Sequence, residues 1–392
     1  MNSQLVKRRQ FLQFGAAGFL AFAANGAVRA SGTGNGNMVS LGSIGALQAP
    51  DEHGMMLPPG FRSRIVARSG ERPAAGSDYV WHDAPDGGAI FAAADGGWVY
   101  VSNAELREGQ GGVGALRFDW SGEIVDAYPI LQGTSLNCAG GRTPWQTWLS
   151  CEEFDLGQVY ECDPFGKRAP EARPALGRFK HEAVAVDPVN QVLYLTEDWP
   201  DGAFYRFRPA NSLPDLSSGV LEAAVLKSHS GRMYLEWVAV ADPQANSEPT
   251  RYQVPGIMPF KGGEGVAYQN GSVYFSTKHD NKVWSYDVST HELSVIYDVQ
   301  ASTNPILSGV DNLAITPSGD LLVAEDGGDM QIVVLTPDDR VIPLLQILGH
   351  ERSEITGPAF DPFHRRLYFS SQRGSEGVNS DGITYEVSRT PV

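Results

Sequence analysis

The sequence has 392 residues, and its 46 Asp and Glu residues outnumber its 30 Lys and Arg residues, which gives a formal net charge of −16. A surface of that sign repels nucleic acid and anionic membranes, so neither is expected as a partner. Three cysteines are too few to support a disulfide scaffold.

Residues 1–30 have the three parts of an export signal. Paired arginines, Arg8 and Arg9, stand directly before an apolar stretch over residues 11–24, and small residues follow near Ala30. The stretch is shorter than the roughly 20 apolar residues that cross a bilayer. The pattern predicts a twin-arginine signal peptide, the twin-arginine translocation machinery as a partner, and a periplasmic or secreted protein without stable membrane insertion. An uncleaved anchor is the alternative.

Residues 31–50 are rich in Gly, Asn and Ser and predict a flexible linker. After them, short strand-like runs alternate with Gly, Asp, Pro and Asn turns, which is typical of an all-β protein. Cys151 and Cys162 fall near the two arms of a predicted hairpin, so a disulfide between them is possible, and Cys138 would then be free.

A strand–turn–strand unit recurs along the chain. The clearest copies lie at residues 182–198, 265–276, 312–326 and 357–371, and weaker copies lie at 88–102 and 142–153. The spacing of the last copies fits the roughly 40–50 residues of a four-stranded blade. We therefore predict one six-bladed β-propeller over residues 51–392, with an insertion around residues 213–259. A β-sandwich is the competing fold, but it needs no such internal similarity.

Acidic residues recur at two places in this unit. They stand where first strands begin, at Glu182, Glu264 and Asp311 with Asn312. They also stand where second strands end, at Glu105, Glu152 with Glu153, Glu197 with Asp198, and Glu325 with Asp326. Because the two strands are antiparallel, all of these side chains meet at one end of the propeller. Such a group of carboxylates predicts a cation site, and Ca²⁺ prefers oxygen ligands of this kind. The alternative is that each acid is only a polar turn residue.

Cys138 lies just before two glycines and the strand that ends at Glu153. Its thiolate would favour a softer, redox-capable metal such as iron, although a lone cysteine is more often a small buried apolar residue. His181 and His279 could be ligands or general acids, or simply core and turn residues. Neither a zinc-protease HExxH motif, a P-loop nor a Gly-x-Ser-x-Gly nucleophile elbow is present.

Six motifs occur in an order that resembles the PhoX family of calcium-dependent alkaline phosphatases exported by the twin-arginine route. They are residues 137–153 (NCAGGRTPWQTWLSCEE), 177–188 (GRFKHEAVAVDP), 196–198 with 204–207 (TED, FYRF), 264–268 (EGVAY), 311–313 (DNL) and 324–327 (AEDG). The first motif is long and specific. The resemblance extends over roughly residues 86–372, nearly the whole chain after the signal.

The resemblance implies a six-bladed propeller that holds two iron ions (Fe³⁺) with Ca²⁺ and hydrolyses phosphate esters. The metal ligands carried over by motif are Cys138, Glu105, Glu153, Glu182, Glu197, Glu264 and Glu325, with Asp311 and Asn312 nearby. The metals would neutralise the phosphate and position its oxygens for in-line attack. An arginine is expected to help hold the phosphate, and Arg142 and Arg373 are the candidates.

The chain departs from the family in its short length, in Ala104 where a histidine is expected, and in a strand over residues 321–326 that contains no arginine. These departures concern the activity more than the fold. A calcium-dependent hydrolase of another ester, such as a lactone, is one alternative function. A non-catalytic surface protein that the metals only brace is the other.

Overall fold

The computed structural model describes residues 41–390, so the predicted signal peptide lies outside the described residues. This part of the chain is all-β, with strands joined by turns and loops and only short 3₁₀ helices between them. None of the helices within residues 41–390 is long and apolar enough to cross a membrane.

The strands are numbered in the order in which they occur along the chain. The first nine are β1 Met55–Met56, β2 Phe61–Arg68, β3 Pro85–Ala92, β4 Trp98–Ala104, β5 Gly111–Phe118, β6 Ile124–Thr134, β7 Asn137–Arg142, β8 Trp148–Glu152 and β9 Val159–Cys162. The next nine are β10 Glu171–Ala172, β11 His181–Asp187, β12 Val192–Glu197, β13 Phe204–Pro209, β14 Gly219–His229, β15 Arg232–Ala239, β16 Gly263–Gln269, β17 Ser272–Thr277 and β18 Lys282–Asp287. The last eight are β19 Glu292–Asp298, β20 Val310–Ile315, β21 Leu321–Glu325, β22 Gln331–Leu335, β23 Val341–Ile347, β24 Ile355–Phe360, β25 Arg366–Ser371 and β26 Ile383–Arg389. The 3₁₀ helices are Leu41–Ser43, Pro174–Leu176, Thr250–Tyr252, Lys278–Asp280 and Asn379–Asp381.

The strands form antiparallel sheets in a propeller-like arrangement. The sheet orders are β3-β4-β5-β6, β10-β9-β8-β7, β1-β23-β22-β21-β20, β2-β26-β25-β24 and a nine-stranded sheet β11-β12-β13-β14-β15-β19-β18-β17-β16. The nine-stranded sheet joins two meanders through only two residue pairs between β15 and β19. The strands β3, β7, β11, β16, β20 and β24 contact one another in this cyclic order and surround a central axis.

The sheets stack face to face, so most strands are buried on both faces and read as continuous apolar runs. Every residue of β12 is buried, and Leu193 and Leu195 pack with Leu149 and Cys151 of the neighbouring sheet. Burial of one such leucine contributes about 1.5–3 kcal/mol. These apolar layers between neighbouring sheets hold the ring together.

Small residues allow the strands around the axis to approach closely. A Cβ atom on Gly265 would lie 2.4 Å from the backbone nitrogen of Leu313, and one on Gly87 would lie 2.5 Å from the Cα atom of Ala139. These distances are shorter than a carbon atom can tolerate, so glycine is required there for steric reasons.

The two ends of the described chain meet in one sheet. β2 pairs with β26 along seven residue pairs, from Phe61 opposite Arg389 to Arg68 opposite Ile383. The first long strand therefore completes the sheet that contains the last three strands, β24, β25 and β26.

The structure differs from two expectations drawn from the sequence, the flexible linker and the possible disulfide. Within the predicted linker, Leu41 and Ile44 are buried in the apolar layer beside β22 and β23, so residues 41–44 are packed against the ring. The possible disulfide between Cys151 and Cys162 does not form, because both cysteines are free and buried. Cys151 lies opposite Val159 in the β8–β9 pair, whereas Cys162 lies opposite Trp148. Three residues of strand separate the two thiols by roughly 10 Å, beyond the reach of a disulfide.

Candidate metal centre

The strands around the axis share a bulge that directs side chains toward one end of the ring. In β3, β7, β11, β16 and β20, one residue pair is followed by a shift in register before pairing resumes three residues later. The first residues inside these bulges are Asp86, Cys138, Glu182, Glu264 and Asp311. A bulge changes the direction of the side chain that it leaves unpaired. The same bulge therefore occurs in five strands around the axis. We use the name mouth for the end of the ring at which these five residues lie.

Three groups of side chains at the mouth bring potential metal-binding atoms within 4.8 Å of one another. They are Cys138 with Glu153 and Glu182, Glu182 with Glu264 and Asp311, and Asp86 with Glu105 and Glu354. Glu182 belongs to the first two groups and connects them. Most of the predicted ligands are therefore brought together, and Asn312 adjoins them by donating from Nδ2 to Asp311 Oδ1 at 2.9 Å.

Glu182 is fully buried, and neither of its carboxylate oxygens has a hydrogen-bond partner within the described residues. Burial raises the pKa of Glu182, and the nearby carboxylates of Glu264, Glu153 and Asp311 raise this pKa further. A buried carboxyl group without partners costs free energy that a bound cation would offset. The residues at the mouth thus fit metal ions, because the oxygens of Glu182 have no hydrogen-bond partner in residues 41–390 and other sulfur and oxygen ligand atoms lie close to them.

Other groups at the mouth respond to the same surroundings. Burial, followed by the charge of Glu105, raises the pKa of Glu153 to about 8. Burial also raises the pKa of Asp311 to about 7, although Lys278 opposes that shift. Burial and then the charge of Asp86 raise the pKa of the Cys138 thiol. Without cations, burial therefore disfavours the charged forms of Glu153, Asp311 and the Cys138 thiol.

The acids at the ends of the second strands divide into two kinds. The first acid of each adjacent pair closes the loop between the second and third strands, because it accepts a hydrogen bond from the backbone N–H six residues later. These hydrogen bonds are Gln158 N–H to Glu152 at 3.2 Å, Ala203 N–H to Glu197 at 2.9 Å and Gln331 N–H to Glu325 at 2.9 Å. The acids that follow them in the sequence, Glu153, Asp198 and Asp326, make contacts at the mouth instead. Adjacent side chains of a strand point to opposite faces, which separates the two kinds.

The predictions of Glu197 and Glu325 as metal ligands are not supported by these contacts. The other oxygen of Glu197 contacts Arg251 Nη1 at 3.0 Å, and the other oxygen of Glu325 accepts from Ser308 N at 2.8 Å. Both carboxylates are thus occupied on both oxygens, and neither belongs to a group of potential metal-binding atoms in the described part of the chain. Their role is to hold the loop between the second and third strands.

Asp86, Glu354, Asp198 and Asp326 are mouth residues that the predicted ligand set omits. Gln372 Nε2 donates to both Asp86 Oδ2 and Glu105 Oε2, which ties the group of Asp86 to the end of β25. Asp198 is buried, and its Oδ1 atom has no hydrogen-bond partner within residues 41–390. One signal in the sequence points to Asp198 and Asp326, because both occupy the position of Glu153 in the repeated acid pair.

Three cationic side chains border the acids. Lys180 Nζ lies 2.9 Å from Glu153 Oε1, Lys278 Nζ lies 3.0 Å from Glu264 Oε1, and Arg373 Nη1 lies 3.0 Å from Glu354 Oε1. Burial lowers the pKa of Lys278, but the charge of Glu264 and its neighbours outweighs burial and raises it overall. All three side chains therefore stay charged at the mouth.

The two arginines predicted to bind phosphate lie in different places. Arg373 is at the mouth, next to Glu354. Arg142 is the last residue of β7, four residues beyond Cys138, which corresponds to about 13 Å of extended strand. Its guanidinium lies over the Phe91 ring and lines a cavity of about 400 Å³ between the strands of the axis. The structure therefore brings Arg373, and not Arg142, to the mouth.

The two histidines singled out in the sequence also differ. His181 is buried, its Nε2 lies 3.1 Å from the carbonyl oxygen of Gly177, and burial lowers its pKa to about 3. It is thus a neutral core residue. His279 is partly exposed, and its Nε2 lies 3.7 Å from Asp198 Oδ1 at the edge of the mouth.

Comparison with known proteins agrees with this architecture. The sequence profile of the family described as alkaline phosphatase PhoX matches residues 122–157 and 154–294. The solved structure of Pseudomonas fluorescens PhoX in complex with vanadate, a transition state analogue, is similar with a TM-score of 0.72 and 16% identity, over 88% of this chain and 98% of that one. No curated protein sequence matches the chain.

Two further solved structures are more distantly similar. A Bacteroides thetaiotaomicron protein of unknown function has a TM-score of 0.50 and 10% identity, over 84% of this chain and 76% of its own. A gluconolactonase from Xanthomonas campestris has a TM-score of 0.48 and 12% identity, over 88% of this chain and 98% of its own. The matched profile and the fold shared with the Pseudomonas protein confirm the predicted resemblance of this chain to the PhoX family.

Proposed function

We propose that this chain is a metal-dependent phosphoesterase that hydrolyses phosphate monoesters outside the cytoplasm. The observation that carries the proposal is Glu182, whose two buried and unpartnered oxygens stand between two groups of potential metal-binding atoms. The match of the PhoX family profile supports the same reaction class. The paired arginines of residues 1–30 support delivery by the twin-arginine route.

The three groups at the mouth suit different metals. Cys138 with Glu153 and Glu182 combines sulfur with oxygen, a set that suits a softer, redox-capable metal, and the PhoX resemblance implies Fe³⁺. The other two groups contain only carboxylates and suit Ca²⁺. When bound, metal ions supply positive charge that neutralises a phosphate and orients its oxygens for in-line displacement. The proposed ligands are Cys138, Glu105, Glu153, Glu182, Glu264 and Asp311, together with Asp86 and Glu354.

The protein's own side chains prepare the mouth for an anionic substrate. Arg373 is held by Glu354 and lies 3.7 Å from Asp326 Oδ1, with about a quarter of its side chain exposed (28%). A guanidinium fixed in this way presents its remaining N–H groups to a phosphate without further ordering. Asn312 accepts from the backbone N–H of Gly357 at 2.9 Å and thereby keeps its Nδ2 directed at Asp311.

The architecture that goes with this function is a single propeller domain over residues 51–392. Six blades are proposed, because six strands contact in a cycle around the axis and each begins a meander. In this interpretation the nine-stranded sheet contains two blades that touch through β15 and β19. Five of these blades then each direct one bulge residue to the mouth, and Glu354 lies just before β24 of the sixth blade.

The test uses protein exported through its own signal. Metal content is measured by elemental mass spectrometry, and release of para-nitrophenol from para-nitrophenyl phosphate is measured before and after chelation. We expect bound iron and calcium, turnover that chelation abolishes, and loss of iron in Cys138→Ala. Protein that carries these metals and turns over neither this ester nor any alkyl phosphate monoester would refute the proposal. Calcium without iron, with no turnover of phosphate monoesters, would favour a calcium-dependent hydrolase of another ester instead.

A further inference from the structure

Two lysines at the mouth share an unusual arrangement. Lys180 Nζ contacts Glu153 Oε1 at 2.9 Å and Asp198 Oδ2 at 2.7 Å. Lys278 Nζ contacts Glu264 Oε1 at 3.0 Å and Asp326 Oδ2 at 3.3 Å. Each ammonium group is therefore fixed between one acid of the metal-binding groups and one acid at the end of a second strand.

Each lysine has one ammonium N–H donor that no carboxylate contact occupies within the described residues, and the Lys180 ammonium group also lies 5.7 Å from the centroid of the Trp199 ring. An ammonium group has three N–H donors, and the two carboxylate contacts in the described part of the chain occupy two of them. The side chains of Lys180 and Lys278 are 25% and 29% exposed, whereas those of Glu153 and Glu264 are 11% and 2% exposed. Both lysine side chains are thus more exposed than Glu153, Glu264 and Asp198, and Lys278 is about as exposed as Asp326.

The two lysines flank one side chain. Lys180 lies just before β11 and Lys278 just after β17, and Asp198 is stabilised in its charged form by both of them. His279, the neighbour of Lys278 in sequence, lies 3.7 Å from Asp198 Oδ1. The lysines therefore belong to one continuous patch on the rim of the mouth.

A phosphate monoester is an anion, and the mouth is built mainly from acids. Metal ions held by the three groups would attract such an anion, but Asp198 and Asp326, which belong to none of these groups, repel it. Lys180 and Lys278 neutralise these two acids and add fixed donors beside the metal-binding groups. Donors that are already held in place cost no reorganisation when the anion arrives.

We propose that Lys180 and Lys278 bind the phosphoryl oxygens of the substrate and of the inorganic phosphate product. This inference rests on the proposed phosphoesterase function and adds two binding residues to it. With Arg373 on the opposite side of Asp326, the lysines form a cationic rim that selects a phosphate group over an uncharged ester.

The experiment measures binding of inorganic phosphate to the metal-loaded protein by isothermal titration calorimetry, and the KM for para-nitrophenyl phosphate. The variants are Lys180→Met and Lys278→Met, which keep the length of the side chain and remove its charge. A hydrogen bond between charged groups that is lost in this way weakens binding by roughly tenfold or more, so both the phosphate Kd and the KM should rise by that factor. Lys278→Arg keeps the charge and should retain binding within about threefold of the wild type.

Lys282→Met is the matched control. Lys282 Nζ also lies between two carboxylates, 3.5 Å from Asp280 and 3.6 Å from Asp298, and its side chain is 27% exposed, but it contacts no acid of the metal-binding groups. Its phosphate Kd should not change. An unchanged Kd in both mouth variants would overturn the proposal. So would a rise in Kd that accompanies an equal loss of bound metal, since the lysines would then only support the ligands. Wild-type protein that binds phosphate through these lysines but hydrolyses no ester would refute the proposed function alone.

Discussion

Replacement of Glu182 by glutamine should separate metal binding from the stability of the metal-free protein. The variant keeps the size of the side chain and removes the charge. Because burial raises the pKa of Glu182, its carboxyl group favours the neutral form in the metal-free chain, so Glu182→Gln should melt near the metal-free wild type. The amide, however, is a poor substitute for a carboxylate that two groups share.

The size of the effect follows from binding. A cation present at 100 times its Kd stabilises the folded protein by about 2.7 kcal/mol, which raises the melting temperature of a domain of this size by about 4 °C. Protein dialysed against a chelator should show this rise when excess Ca²⁺ is added, as measured by circular dichroism. Glu182→Gln should lose most of the rise.

Glu325→Gln is the matched control, because Glu325 is equally buried, also lies at a strand end and resembled a ligand in the sequence. Its two oxygens accept from Ser308 N and Gln331 N, and a glutamine can satisfy only one of these donors. The metal-free variant should therefore lose about 1–3 kcal/mol, yet keep the full response to Ca²⁺. A Glu182→Gln variant that responds to Ca²⁺ like the wild type would refute the assignment of the mouth as a metal centre.

Two further predictions concern the ring and its pH dependence. Gly265→Ala should lower the free energy of unfolding by more than about 2 kcal/mol in urea unfolding, because the new Cβ atom would lie 2.4 Å from the backbone nitrogen of Leu313. Gly76→Ala is the control and should be nearly neutral, because no atom of the described residues beyond its chain neighbours lies within 4 Å of its Cβ position. Burial lowers the pKa of His82 to about 3, so the unfolded chain binds more protons between pH 6.5 and 3, and the stability that the neutral ring contributes is lost as the pH falls through that window. Between pH 7 and 5 the wild type should lose about 2 kcal/mol more than His82→Gln, and equal losses would contradict this reasoning.

The repeated pattern was sufficient to predict the all-β fold and the end of the ring that carries the acids. The reason is physical: in an antiparallel pair, the start of one strand always lies beside the end of the next. Glu182, Glu264 and Asp311 therefore met at the mouth as expected, and Cys138 and Glu153 joined Glu182 there.

The sequence did not determine which acid of each adjacent pair faces the mouth. That choice depends on which face of the strand each side chain occupies. It also depends on a backbone N–H six residues later, which donates a hydrogen bond to Glu197 and to Glu325. Asp86 was missed because its strand is a weak copy of the repeat, and Glu354 because it lies just before a first strand. The position of Arg142 was deducible, since four residues of extended strand carry it away from Cys138.

The pairing of β2 with β26 has a consequence for synthesis of the protein. The strand Phe61–Arg68 is made well before its partner, so it stays unpaired until the segment Ile383–Arg389 has left the ribosome. Closure of this sheet therefore comes only after the strands of all the other sheets have been made. Removal of β26 would leave the first long strand unpaired and would expose the apolar layer to which Ile383, Tyr385 and Val387 contribute.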